Sequence, residues 1–277
     1  MYKRFIWRNL LLYTKDRLGI FFSFLGMFIS LFIYIFFLRS NLIGEFKDIA
    51  NISKFIDTWM VAGLISIVAV TSPLNAFVQK LEDMATNRLD DFIVNDNLQA
   101  NKIDKLYTLT SIIEGTLSTM VFSIVCFTYL LIKYQFNVFD IRIIEVLLFN
   151  SFLVIVSSLI FSFITDFLKT TSSFSSLSAI VGTLAGFFSG TYIIYGELPK
   201  FMQNFLNIWP GYQIAAITRE KLISGINVKI PLGTLVSLGV SFEYSKSMLI
   251  TGTTCLVFII LILIKDRLKS FGAFNKG

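Results

Sequence analysis

The sequence predicts an all-α integral membrane protein. It should have six transmembrane helices, an N-terminal interfacial amphipathic helix, a short cytoplasmic helix and an outer re-entrant helical hairpin. Three observations carry this. Hydrophobic residues make up 55% of the 277 residues and charged ones 15%, which excludes an ordinary soluble domain. Uncharged runs long enough to cross hydrocarbon recur along the chain. The stretches between them are too short to fold as separate domains, so residues 1–277 form one transmembrane unit.

The elements follow in order. Residues 1–17, "MYKRFIWRNLLLYTKDR", mix Phe5, Trp7, Leu11 and Leu12 with five basic residues. This reads as a helix lying in the headgroup layer, or as a plain basic flank orienting the first span. The run that follows is too long for a cleaved signal and has no small-residue cleavage site. Candidate spans are 18–38, 58–79, 106–132, 146–165, 170–196 and 247–264. Pro73 should kink the second, with Thr71 or Ser72 re-satisfying freed backbone groups. Six spans put both termini on one side. With the termini inside, the inner segments hold 14 Lys+Arg in 60 residues and the outer ones 10 in 82. The bias predicts a multi-pass protein of the cell membrane with cytoplasmic termini.

Residues 80–105 form the polar inner loop. Leu89, Phe92 and Ile93 recur at i, i+3, i+4, the spacing of one helix face. Arg88, Asp90 and Asp91 fall largely elsewhere, and Thr86 or Asn87 could cap the start. An anionic leaflet favours Lys and Arg, so adjacent acids argue for a protein partner.

Residues 197–246 form the longest non-spanning stretch. Pro199 and Pro210 lie about three turns apart, and proline suits a helix start. Two short helices follow, one from each proline, too polar to cross alone. Arg219 closes this motif.

The chemistry that is missing also bounds function. The chain has no His, which removes the usual general base and metal ligand. Cys126 and Cys255 both lie in apolar runs and make no disulfide framework. No GxxxxGK[ST] phosphate cradle is present. The net charge of +6 flanks apolar runs instead of forming a stripe, which argues for membrane anchoring and against nucleic acid. Glu114 is the one clear charge well inside a span. It reads either as part of a substrate pathway or as a packing residue. Gly182, Gly186 and Gly190 recur every four residues, a spacing that lets helices approach closely, within the chain or against a second subunit.

The pattern Leu198-Pro199, Pro210, Arg219 resembles the signature after the fifth span in type-2 ATP-binding-cassette (ABC) exporter permeases of bacteria. Trp209 stands where that family usually has Asn. Residues 82–105 resemble the family's cytoplasmic loop more weakly, without its usual Gly-Thr and Pro. The resemblance implies a permease subunit that pairs with a second one, the same or homologous. Separate cytoplasmic ATPase subunits, which hold ATP and Mg, would power it. This chain would bind no cofactor and would not be an enzyme. Arg88, Leu89, Asp90, Asp91, Phe92 and Ile93 would form the coupling helix on the ATPase. Pro199, Pro210 and Arg219 would shape the outer end of the pathway. The cargo would be a hydrophobic or amphipathic drug, peptide or lipid. A lipid-linked polysaccharide or teichoic acid is the alternative within the family, and an ion-coupled carrier is the alternative outside it.

Overall fold

The structure is a computed structural model of the chain. It describes residues 2–45, 51–94, 100–137, 140–168, 170–226, 228, 230–241 and 243–274. Among these, all regular structure is helical. Helix α1 (Tyr2–Lys15) leads into α2 (Arg17–Ile33), a π-helical turn (Tyr34–Leu38) and α3 (Arg39–Glu45), helical backbone throughout. Then come α4 (Ile52–Thr71), α5 (Leu74–Ala85), α6 (Asp90–Val94), α7 (Ala100–Tyr134) and α8 (Ile141–Thr165). Helices α9 (Thr171–Phe188), α10 (Lys200–Leu206), α11 (Pro210–Ile223), α12 (Leu232–Ser237) and α13 (Tyr244–Phe274) complete the chain.

Among the described residues, five helices are long and apolar enough to cross a membrane: Ile52–Ala85, Lys102–Tyr134, Ile141–Thr165, Thr171–Phe188 and Tyr244–Leu268. The first expected span, 18–38, is helical, but the apolar helix there, Phe28–Gly44, is shorter than these. The π turn falls in its middle.

Several bounds differ from expectation, each for a local reason. The second apolar helix begins at Ile52, not 58, because Asp57 is tolerated inside it. Pro73 interrupts the helix between α4 and α5, but Ser72 and Pro73 keep right-handed helical angles and the apolar helix Ile52–Ala85 runs on through them. The Thr71 hydroxyl turns back to the Ile67 carbonyl, but that of Ser72 leaves its own helix for the Gly115 carbonyl, 3.1 Å away. Gly115 makes this possible, since a Cβ there would fall 3.1 Å from the Pro73 ring. Helix α9 stops at Phe188, eight residues before 196. Gly190 takes φ +63, and the N–H of Thr191 returns to the Gly186 carbonyl at 3.1 Å, a glycine stop. Side chains cap two helix starts. Asp140 accepts from the Arg142 N–H and Thr170 from the Ser173 N–H.

Helix α4 is the axis of the bundle. Its apolar window is 83% buried, against 11% for α13 and 17% for α9. A helix that is apolar all round and buried all round belongs in the centre. Its long-standing neighbour is α11, where every residue from Pro210 to Arg219 is buried. Arg219 lies beside Gly63 and Gly211 beside Val70, so α11 runs antiparallel to α4. Its polar side chains are met by other helices. Asn150 links Ser66 to Thr218 at 2.9 and 3.0 Å, and Ser247 donates to Gln213 at 2.7 Å.

Candidate functional site

The loop after α5 holds the predicted docking residues. Neither predicted cap is used: the Thr86 hydroxyl returns to the Glu82 carbonyl, and Asn87 takes φ +53. The turn that results starts α6 only at Asp90. The apolar face finds its cover inside the chain. Leu89 is buried in a cluster with Phe5, Ile103, Leu106 and Tyr107. The Phe92 ring meets Phe5 edge-on at 5.0 Å, and the Arg8 guanidinium sits over it at 5.7 Å. The acids therefore do not set where Leu89 and Phe92 go. Ile93 remains 44% exposed, and Arg88 and Asp90 are exposed beside it. The side chain of Asp91 lies outside the described residues.

Helix α1 anchors this platform. Phe5 meets Tyr107, Asn9 meets Thr110 and Tyr13 meets Ser118, so α1 runs along α7 in the same direction. Trp7 on the opposite face is 62% exposed. The Arg8 guanidinium donates twice to Asp83, at 2.6 and 3.1 Å, and the Tyr107 hydroxyl donates to the same carboxylate at 2.6 Å. Burial opposes the Arg8 charge, but Asp83 outweighs it, and the pKa of Arg8 is raised. Three helices, α1, α5 and α7, thus meet on one buried carboxylate.

Two cavities lie above the platform. One, of about 310 Å³, is lined by Tyr13, Asp16, Gln79, Glu82 and Arg88. The other, of about 440 Å³, lies among Gly26, Leu64, Thr71, Phe122, Gly182 and Tyr192. Asn75 lines both. The lower walls carry charge and the upper walls are mostly apolar.

Glu114 is 1% exposed, and neither carboxylate oxygen has a hydrogen-bond partner among the described residues. It sits on α7 between Thr110 and Ser118, the residues that meet α1. Burial raises the pKa of Tyr13, the Ser118 hydrogen bond opposes this, and the charge of Glu114 adds to the rise.

Both short helices start where their prolines predict. Pro199 precedes α10 and Pro210 opens α11. Arg219 is wholly buried. It donates to the carbonyls of Ser189 and Gly190 and to the Thr191 hydroxyl, each at 3.0 Å, and to the Gly239 carbonyl at 3.3 Å. Its guanidinium lies 4.8 Å over the Trp59 ring. No carboxylate pairs with it among the described residues.

The three glycines do not act as one stripe. A Cβ on Gly182 would meet nothing within 4 Å, one on Gly186 would collide with the Tyr192 ring, and Gly190 lies beyond the helix end. Within this chain they share no packing face, because the repeat runs through the α9 stop.

One cluster was not anticipated. Asp57, fully buried, accepts from the hydroxyls of Tyr34, Tyr134 and Tyr129 at 2.5, 2.5 and 3.1 Å. Arg39 and Lys133 complete it at 2.8 and 2.9 Å. The π turn places Tyr34 here. The only sequence signal was an acid one residue before an apolar run.

No protein-family model, curated protein or solved structure matches the chain.

Proposed function

We propose that this chain is the membrane-spanning permease subunit of an ATP-driven exporter of the type-2 ABC class. It pairs with a second permease subunit and is driven by cytoplasmic ATPase subunits. Its cargo is hydrophobic or amphipathic. In this reading the helical stretch from Arg17 to Glu45 is the first of six spans. Helix α1 lies at the inner surface of the cell membrane, both termini are cytoplasmic, and α10–α11 re-enter from the outer face.

The observation that carries the proposal is the way α6 is presented. Leu89 and Phe92 are fixed against α1 and α7, while Ile93, Arg88 and Asp90 face outward. A short helix braced on two long ones passes force to both. Two cavities that share Asn75 in their walls lie beyond, bounded by the helices that such a push would move. No phosphate cradle exists in the chain, so the push comes from a partner.

The test is co-purification from the native membrane in mild detergent, with ATPase activity as the readout. Ile93→Ala combined with Asp90→Lys should lower bound ATPase about tenfold, since an exposed anchor at a docking site contributes about 1–2 kcal/mol. Full ATPase retention in this variant, or a wild-type chain that brings none, would refute the proposal. Phe92→Ala is a poorer probe because it also unseats α6 from Phe5.

The unpartnered Glu114 favours a second reading, an ion-coupled carrier. Such a carrier would move cargo in proteoliposomes without an ATPase, driven by an ion gradient.

A further inference from the structure

Three buried charges show how this chain treats such groups. Asp57 has five partners, Tyr34, Tyr129, Tyr134, Arg39 and Lys133. Asp83 accepts from Arg8 and Tyr107, and Arg219 donates to four oxygens. Glu114 is about as deeply buried, yet both its oxygens lack a hydrogen-bond partner among the described residues. A carboxyl group kept in that state calls for a partner from outside the chain.

Its surroundings say what that partner is like. Helix α1 meets α7 at Thr110 through Asn9 and at Ser118 through Tyr13. Glu114 lies one turn from each, on the same face. Two walls of the cavity of about 310 Å³ take part in these contacts: Tyr13 itself, and Gln79, which donates to Asn9 at 3.3 Å. One residue on, the Gly115 carbonyl accepts from Ser72, which lines the cavity of about 440 Å³ with Leu64, Val68 and Phe122. Glu114 therefore stands where a polar cavity and a mostly apolar one approach each other. A ligand that satisfies both carries a positive charge on an apolar body. A metal ion fits less well, since no group of three acids, His or Cys that could hold one occurs among the described residues.

We infer that Glu114 and the apolar cavity bind an organic cation. The carboxylate takes the charge, and Leu64, Val68 and Phe122 take the body. The Tyr13 hydroxyl leaves Ser118 to admit the charge, and its ring then faces the cation. Calling this ligand the cargo rests on the proposed transport function and narrows it to cationic amphiphiles. The binding itself needs only this chain, and it uses Glu114 for the cargo instead of a coupling ion.

The experiment uses the purified full chain in detergent, without any ATPase, and labelled tetraphenylphosphonium in a scintillation proximity assay. Binding should saturate. Dodecyltrimethylammonium should displace the label, and triphenylphosphine oxide, similar in shape but uncharged, should not. Glu114→Gln should weaken binding about thirtyfold, the equivalent of about 2 kcal/mol for one partner of a buried charge pair. Glu114→Asp keeps the charge and should stay within about fivefold of the parent. A Cβ on Gly182, in the wall of the apolar cavity, meets nothing within 4 Å, so Gly182→Leu fills that cavity and should lower affinity about tenfold. Non-saturable binding, equal displacement by the uncharged competitor, or unchanged affinity in Glu114→Gln or Gly182→Leu would overturn the inference. Charge-selective binding by a chain that brings no ATPase from the membrane would uphold it and refute only the exporter reading.

Discussion

Asp57 joins three helices through one carboxylate, and replacing it with Asn gives the sharpest test of the fold. Asn keeps the volume and one acceptor oxygen but loses the charge. The Tyr34 hydroxyl is 1% exposed and cannot turn to water, so weakening its bond costs about 1–3 kcal/mol. Arg39 and Lys133 are 24% and 31% exposed. Water recovers much of their interaction, so each contributes about 0.5–1 kcal/mol, well under the 3–5 of a fully enclosed pair. Asp57→Asn should therefore destabilise by about 2–5 kcal/mol. Arg39→Gln should cost about 1 kcal/mol, because the carboxylate keeps Lys133 and three tyrosines. The double variant should fall short of the sum by about 1 kcal/mol. Unfolding in detergent titrated with sodium dodecyl sulfate, followed by circular dichroism, supplies the four free energies. If the two changes add within about 0.3 kcal/mol, Arg39 and Asp57 do not share a network and the reasoning fails.

Two further outcomes follow from local packing. Gly63→Ala places a methyl against Thr191 and 3.1 Å from the Arg219 guanidinium, and should cost about 1–3 kcal/mol in the same unfolding assay. Gly182→Ala meets nothing within 4 Å and should be neutral or stabilising by about 0.5–1 kcal/mol; equal losses at both sites would refute the packing described. Glu114→Gln keeps the size of a buried carboxyl group that makes no hydrogen bond among the described residues, so thermal stability should hold or rise. A loss above about 1 kcal/mol would reveal an interaction that holds the carboxylate.

What could be read from the sequence was local. Proline at a helix start is a property of one residue's backbone, so Pro199 and Pro210 announced α10 and α11. The spacing of Leu89, Phe92 and Ile93 announced a helix because period is also local. What covered that face was not legible, since Phe5 and Tyr107 lie far away in sequence. The expected span overran the end of α9 because residues 189–196 carry no charge before Glu197, and only the φ of Gly190 marks the stop. Asp57 was missed for the opposite reason. A charge was taken as the edge of a span, whereas three tyrosines, one from the π turn and two from α7, allow it inside. Arg219 was singled out by motif, but its acceptors, the carbonyls of a turn after α9 and of Gly239, leave no mark in residue type.

The polar interior of α11 imposes an order on biogenesis. Gln213, Thr218 and Arg219 are acceptable in an apolar surrounding only with Ser247, Asn150 and the turn at Ser189 already in place. Ser247 belongs to α13, which leaves the ribosome after α11. Helix α11 must therefore wait in water or at the lipid surface until α13 has been inserted, and seat itself afterwards. A chain cut short after Ser224 would lack the partner of Gln213 and present a polar stub to quality control. The centre of the bundle is completed by a helix made after it.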